Sequence, residues 1–228
     1  RAALSRGQIT LPITVKPTNR SGGVGVLHLK EPADLMLLDA VDYRPVLVQR
    51  HIRGEAVSIT LFCDHGRVLA HVAQQRDSAR FRVLRNDDLL AEATRLVALT
   101  RYHGVANFDA VVSDEDGCAY LVECNPRFWY SIYLVMIAGL NFIDLALTLP
   151  VAPGAAIALD DGEIRLSLKK ILTHPWRASR LDWRYLRYCL GDPLAFGMQR
   201  AQLLDDSEVA VPLPRTDTRG PVGHPVTV

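Results

Sequence analysis

An excess of charge of either sign is missing from this chain. Its 228 residues carry 26 basic against 25 acidic side chains, a formal net charge of +1, which excludes a supercharged nucleic-acid tail and counterion-driven binding across the whole surface. Cysteine is scarce. Cys63, Cys118, Cys124 and Cys189 are too scattered for a disulfide framework, and no pair has the CxxC spacing of zinc or redox sites, so they read as reduced thiols of a cytoplasmic protein. HExxH, the nucleophile elbow and a Cys–His pairing are all absent, as are the GxGxxG and GxxxxGK[ST] phosphate loops. No basic-then-apolar leader opens the chain, which starts at Arg1 and reads as the inside of a longer product. Uninterrupted apolar runs are missing too. Between Tyr130 and Leu159 only Asp144 is charged, but Asn141, Asp144, Pro150, Pro153 and Gly154 break the stretch, so a buried core helix is expected and not a membrane span.

What is present is the stuff of a packed core. The chain is 49% hydrophobic and 22% charged, enough for one domain with appendages or two small ones. Alternation around β-branched residues marks a strand from Ile9 to Pro17, with Lys16 near its end. The glycine-rich stretch Ser21-Gly22-Gly23-Val24-Gly25 leads to a return strand from Val26 to Lys30. Further strands are expected over 45–49, 56–63 and 67–75, the last two joined by the turn Asp64-His65-Gly66. Helical spacing of Leu89, Leu90, Ala93, Leu96, Val97 and Thr100 predicts a helix over 87–102, ended by Gly104. Val105 to Val112 and Cys118 to Asn125 form a hairpin. From Arg165 to Arg200 eight basic residues face two acidic ones, interleaved with Trp176, Trp183, Tyr185 and Tyr188. That segment suits an amphipathic helix on a core, or a membrane-surface or nucleic-acid contact.

The hairpin carries the chemistry. Side chains two apart in a strand share a face, so Leu121, Glu123 and Asn125 are expected to point one way. A three-residue loop with Gly117 in the left-handed position sets Asp109 opposite Glu123, whereas a two-residue loop parts them. Asp109, Glu123 and Asn125 then offer three oxygens to a hard cation, or form an acidic rim held by water. Arg127, after Pro126, can grip a carboxylate or phosphate, or pair with Glu123. The 21–25 glycine loop can cradle phosphates through backbone N–H groups, or is a structural turn. His71 and Gln75 share a strand expected to run beside the cleft.

In order, Leu11-Pro12-Ile13-Thr14-Val15-Lys16-Pro17, Ser21-Gly22-Gly23-Val24-Gly25-Val26, Val46-Leu47-Val48-Gln49-Arg50-His51-Ile52-Arg53-Gly54-Glu55, Gly104-Val105-Ala106-Asn107-Phe108-Asp109 and Leu121-Val122-Glu123-Cys124-Asn125-Pro126-Arg127-Phe128-Trp129 resemble motifs of the ATP-grasp superfamily. The likeness is to its carboxylate–amine ligase members, related to biotin carboxylase and carbamoyl-phosphate synthetase, and runs over roughly residues 8–150. It implies an α+β fold in which two subdomains with antiparallel sheets grip ATP, with the first part of the small subdomain and a preceding N-terminal domain absent. The boundaries it implies are 1–50 for the partial small subdomain, 51–150 for the large one, 151–210 for a C-terminal helical extension and 211–228 for a Pro-rich tail.

Roles follow from the resemblance, position by position. Lys16 is implied at the phosphates and adenine edge. Ser21, Gly22, Gly23 and Gly25 belong to a mobile lid over the phosphates. Gln49, Arg50 and Ile52 belong to the hinge that reads adenine, Glu55 to the ribose hydroxyls, and Leu121 to the nucleotide pocket. Asp109, Glu123 and Asn125 are implied to hold Mg2+ or Mn2+, with Arg127 and Lys16 as catalytic residues at the transferred phosphoryl group. The chemistry implied is attack of a substrate carboxylate on ATP to give an acyl phosphate, then displacement of phosphate by an amine or similar nucleophile. Gln49 stands where many relatives have an acid, Ala56 where several have a second glutamate, and many relatives have a longer stretch between Arg76 and Asp87. The partners implied are ATP and small-molecule carboxylate and amine substrates, without nucleic acid, and with a homo-oligomer allowed. The alternative is a non-catalytic nucleotide- or partner-binding module built on the same fold.

Overall fold

A computed structural model describes residues 6–20, 23–148, 156–194 and 197. The expectations for Ser21, Gly22, the breakers at 150, 153 and 154, and the tail at 211–228 lie outside the described residues. The strands sort into two sheets. In the smaller, β1 (Ile13–Pro17) lies between β2 (Leu27–Leu29) and β3 (Val46–Arg50), antiparallel to both. The alternation Ile13, Val15 turns one face of β1 inward onto Leu29 and onto Leu35, Leu37 and Leu38 of a 3-10 segment, Pro32–Ala40. That segment carries no period-two pattern and was not expected from the sequence.

The larger sheet is built on β4 (Gly54–Asp64), β5 (Arg67–Arg76) and β7 (Gly104–Ser113), all long and antiparallel. β6 (Arg80–Leu84) pairs with the end of β5, and β8 (Ala119–Asn125) closes the far edge against β7. Two short strands from beyond residue 150 join the opposite side: β9 (Ile157–Ala158) runs parallel to β5, and β10 (Gly162–Arg165) pairs with β6. The segment expected as an extension therefore supplies an edge of the main sheet.

Alternation divides the faces of this sheet. Val57, Ile59, Leu61, Ala106, Phe108 and Ala110 turn toward α1 (Asp87–Thr100), whose Leu89, Ala93 and Val97 are buried one turn apart. The Asn86 side chain caps α1 by accepting from Leu89 N at 2.9 Å. Its C-terminus differs from expectation. Arg101, not a glycine, takes the left-handed position (φ 49°), and Gly104 instead opens β7.

Phe62, Val72 and Val105 face the other way, into a core shared with Trp129, Leu134, Val135 and Phe142. The apolar stretch after Trp129 is two short helices and not one, α2 (Ile132–Ala138) and α3 (Phe142–Leu147). Gly139 (φ 129°) ends the first, and the Asn141 side chain caps the second by accepting from Ile143 N and Asp144 N. No helix among the described residues is long and apolar enough to cross a membrane. α4 (Leu168–Thr173) and α5 (Arg180–Gly191) complete this layer. α5 buries Tyr185, Leu186 and Cys189 in the same core, so the basic aromatic segment packs as an amphipathic helix with Trp183 and Tyr188 outward. Asp182, only 1% exposed, accepts from Arg165 N at 2.7 Å and Ser179 N at 2.8 Å, which fastens α5 to β10.

Candidate active site

Asp109 does sit opposite Glu123, but by a different device from the one expected. Near the turn Val112 pairs with Ala119 and Ala110 with Leu121, a register that would have set Asp109 against Val122. A β-bulge at Val122 shifts the ladder by one residue, after which Asp109 meets Glu123 and Asn107 meets Asn125. Leu121 consequently packs with Ala110 toward α1, while Glu123 and Asn125 belong to the other face. The expectation that Leu121 shares a face with them is corrected by the bulge, which inserts a residue between the two.

The bulge also joins the sheets. Val122 is left out of the ladder, and its carbonyl accepts from Gln49 Nε2 at 3.4 Å and Lys16 Nζ at 3.5 Å, both reaching over from the small sheet. Lys16 Nζ lies 3.3 Å from Glu123 Oε2, its side chain 13% exposed. Lys16 and Gln49, expected as nucleotide contacts, thus converge with Glu123 at one point.

Around Asp109 the polar groups form a continuous floor. Thr60 Oγ1 donates to Asn107 Oδ1 at 2.7 Å, Asn107 Nδ2 donates to Asp109 Oδ1 at 3.2 Å, and Asn125 Nδ2 donates to Asp109 Oδ2 at 3.0 Å. Burial, and then the neighbouring Glu123 carboxylate, push the Asp109 carboxyl above its usual range. Like charges directly opposed in a ladder repel. Two carboxylates and the amide oxygen of Asn125 make an all-oxygen donor set suited to a hard divalent cation, once the Asn125 amide turns its oxygen inward. Arg127 Nη2 donates to Asn125 Oδ1 at 3.2 Å, and no carboxylate among the described residues lies within ion-pair reach of it. The expected alternative of an Arg127–Glu123 salt bridge is absent, which leaves the guanidinium exposed beside the floor.

The register extends this row to residues the sequence reading passed over. Gln74 of β5 pairs with Ser58 of β4, and Ser58 with Asp109 of β7, so all three belong to one cross-strand row. Gln74 is 3% exposed and its Oε1 has no partner, an acceptor held dry on the sheet face of the site. Once Asp109 is singled out, counting back along antiparallel partners finds both; the sequence gives no other sign of them. Gln75 lies one residue and His71 three residues along β5 from Gln74, and odd parity puts both on the α1 face with Ala73. His71 lines a cavity of about 420 Å³ with Asp87, Asp160 and Asp161. Neither borders the Asp109 floor, contrary to expectation, because strand parity turns them away.

Glu55 shares parity with Val57, and its carboxylate is held by Gln75 Nε2 and, at 3.5 Å, by Arg82. The hinge around it is clamped to the β7–β8 turn. The Arg50 guanidinium lies 5.2 Å from the Tyr120 ring centre, Arg53 Nη2 is 3.3 Å from Glu115, and Asp114 N donates to Arg53 O at 3.0 Å. Ile52 lies within this clamped span. In the glycine loop, Gly23 (φ 78°) has open space around it. Gly25 (φ 80°) is pinned, with its carbonyl accepting from Tyr43 Oη at 2.5 Å. Arg20 secures the base of the loop through both Asp42 oxygens at 3.0 Å.

Residues 42–161 match the family model for ATP-grasp in the biosynthetic pathway with Ter operon. No curated protein matches the chain. Among solved structures it is similar to the biotin carboxylase–β,γ-ATP complex from Campylobacter jejuni, with TM-score 0.55 and 18% identity over 69% of this chain and 41% of that one. It is also similar to Rhizobium etli pyruvate carboxylase with acetyl coenzyme A, with TM-score 0.54 and 20% identity over 68% of this chain and 16% of that one. A third is the biotin carboxylase domain of Hydrogenobacter thermophilus 2-oxoglutarate carboxylase with MgADP and bicarbonate, with TM-score 0.53 and 15% identity over 68% and 40%. At these identities the likeness is one of fold, and the chain spans at most 41% of each of these structures.

Proposed function

The chain belongs to the ATP-grasp family, and from that membership we propose that it is the ATP- and Mg2+-dependent core of a ligase that activates a carboxylate as an acyl phosphate for attack by an amine. The observation that carries this reading is the convergence of Lys16, from the small sheet, on a paired Asp109 and Glu123 in the large one. ATP is placed between the sheets, with adenine toward Gln49, Arg50 and Ile52 and the phosphates near Gly23 and Gly25; the ribose and nucleotide-pocket roles implied for Glu55 and Leu121 are not carried over, because strand parity turns both toward α1 and away from the Asp109 floor. Asp109, Glu123 and Asn125 would hold Mg2+, which when bound neutralises phosphate charge and orients the phosphoryl group.

Lys16 binds the phosphate oxygens as a point charge, and it is already held by Glu123 and the Val122 carbonyl. Arg127, with no carboxylate partner among the described residues, offers its fork to the carboxylate substrate or to the phosphoryl group being transferred. The substrate oxygen attacks the γ-phosphorus, the bond to the β-phosphate oxygen breaks and ADP leaves; the amine nitrogen then attacks the acyl carbon, the bond to the phosphate oxygen breaks, and the departing phosphate or water takes the proton that the nitrogen loses. Gln74 Oε1 and Ser58 are placed to accept and orient polar hydrogens along the floor. Free thiols at all four cysteines fit a reducing, cytoplasmic setting.

Titration calorimetry tests the site. MgATP should bind the native chain, and Glu123→Ala combined with Asn125→Ala should weaken it by at least about tenfold, roughly 1.4 kcal/mol. Equal binding by both proteins would sink the assignment. ADP release that depends on an added amine tests the chemistry, and nucleotide binding without such turnover would favour the binding-module alternative.

A further inference from the structure

At the far end of the large sheet, where β4 turns into β5, a second cluster stands apart from the polar floor. Asp64, His65 and His103 bring one ligand atom each to within 4.8 Å of one another, and among the described residues no other group of three His, Cys, Asp or Glu does so. His65 Nδ1 is 2.8 Å and His103 Nδ1 3.3 Å from the same oxygen, Asp64 Oδ1, and the imidazole centres are 4.6 Å apart. We propose that these three residues bind a divalent transition-metal ion of the zinc type.

The distances carry the argument. Zinc takes nitrogen and carboxylate oxygen at roughly 2.0–2.2 Å, so the edge between neighbouring ligands in a tetrahedral site is about 3.3 Å. The two separations to Asp64 Oδ1, 2.8 and 3.3 Å, lie at or just under that edge and the third, between the imidazoles, is within 4.8 Å, so side-chain rotation alone can close the three around an ion. Arg67 Nη2 holds the second oxygen, Asp64 Oδ2, at 3.5 Å, which leaves Oδ1 to the ion. The side chains of His65 and His103 are 69% and 47% exposed, so water reaches the fourth position.

Both ligand-bearing segments are fixed before any ion arrives. Gly66 N donates to Tyr102 O at 2.7 Å, and a Cβ at Gly66 would stand 3.2 Å from Ala98 Cα, so the turn packs against the end of α1. His65 is one of two non-glycine residues with positive φ among those described, and its φ of 48° turns it beside His103. An ion here therefore joins ligands already in place, and the ordering cost is small. The donors also select the metal, because imidazole suits zinc, cobalt, nickel or copper, whereas magnesium keeps to oxygen and is suited by the Asp109 floor. Asp64 is six positions along β4 from Ser58, about 20 Å of extended chain, so the two sites are independent. The bound ion would staple the β4–β5 turn to the loop between α1 and β7.

The test is titration of the intact chain with Co2+, read by absorption, and with Zn2+, read by calorimetry, in millimolar Mg2+ so that the oxygen site is filled. One equivalent should bind, and Co2+ should give the intense visible bands of tetrahedral coordination. His65→Gly, which suits the left-handed backbone, and His103→Ala should each weaken binding by about tenfold or more, with melting temperatures in chelator close to that of the native chain. Zn2+ should raise the melting temperature of the native protein and not of the double variant. Failure of the native chain to bind either metal, or undiminished binding by the double variant, overturns the proposal. So does loss of binding on Cys118→Ser with Cys124→Ser while both histidine variants still bind.

Discussion

Asp109 pays for its position with an elevated pKa, set first by burial and then by Glu123. Folding favours its protonated form, so its contribution to stability is fully present below the ordinary value of 3.8 and is lost as the pH climbs through the raised folded value. Asp109→Asn should therefore melt higher than the native chain at pH 7 in chelator, and the advantage should shrink as the pH falls toward 4. Added Mg2+ should raise the native melting temperature and leave the variant unmoved. A variant that is no more stable at neutral pH would show that Asn107 and Asn125 already offset the cost of the ionised carboxyl. Asp109, Glu123 and Asn125 were legible as oxygen donors because residue type announces the chemistry. Ser58 and Gln74 were not, since a hydroxyl and an amide in a strand look like any polar residue until register sets them beside a carboxylate.

Elements were read most faithfully where one periodicity ran without interruption. β4, β5, β7 and α1 follow their alternation or their helical spacing closely, because each buries one face against a core. The bulge at Val122 left no mark, as the two-against-one pairing that defines it exists only between strands. β6 is not among the strands expected from the sequence, although Arg80-Phe81-Arg82-Val83 alternates, because it is only five residues long. Gly54 is a position where the sequence does speak. A Cβ there would stand 1.9 Å from Val112 O and 2.8 Å from Val112 C, so β4 and β7 can approach only over a glycine. Gly54→Ala should destabilise the chain by about 1–3 kcal/mol, the range for overpacking, seen as a lower denaturation midpoint at unchanged m-value. Because Gly54 follows the hinge, the same variant should bind MgATP more weakly. A variant with native stability would mean that the strands part at no cost.

For the whole molecule, what matters is how firmly one sheet is held to the other. The described contacts between them are few: Lys16 and Gln49 on the Val122 carbonyl, Lys16 on Glu123, Arg50 over Tyr120, and the Arg53–Glu115 pair. Exposed ion pairs contribute about 0–1 kcal/mol and single hydrogen bonds about 0.5–1.5 kcal/mol, so parting the sheets costs only a few kcal/mol, well below global unfolding. The small sheet also has a thin core, with Ile13, Val15 and Leu29 buried and Val46, Leu47 and Val48 of β3 open to solvent. Under the proposed function, a nucleotide entering between the sheets would break the Lys16–Glu123 contact and replace it with a phosphate on one side and a cation on the other, tying both sheets to one ligand. Hydrogen exchange should register this. Amides of β1 and β3 should exchange faster than those of β4 and β7 in the free protein, and should slow in MgATP at about a hundredfold excess over Kd, where linkage supplies about 2.7 kcal/mol. Lys16→Ala with Gln49→Ala should speed exchange in β1 and β3 alone. Uniform exchange across both sheets, unchanged by nucleotide, would mean that they move as one body and that the site does not close on ATP.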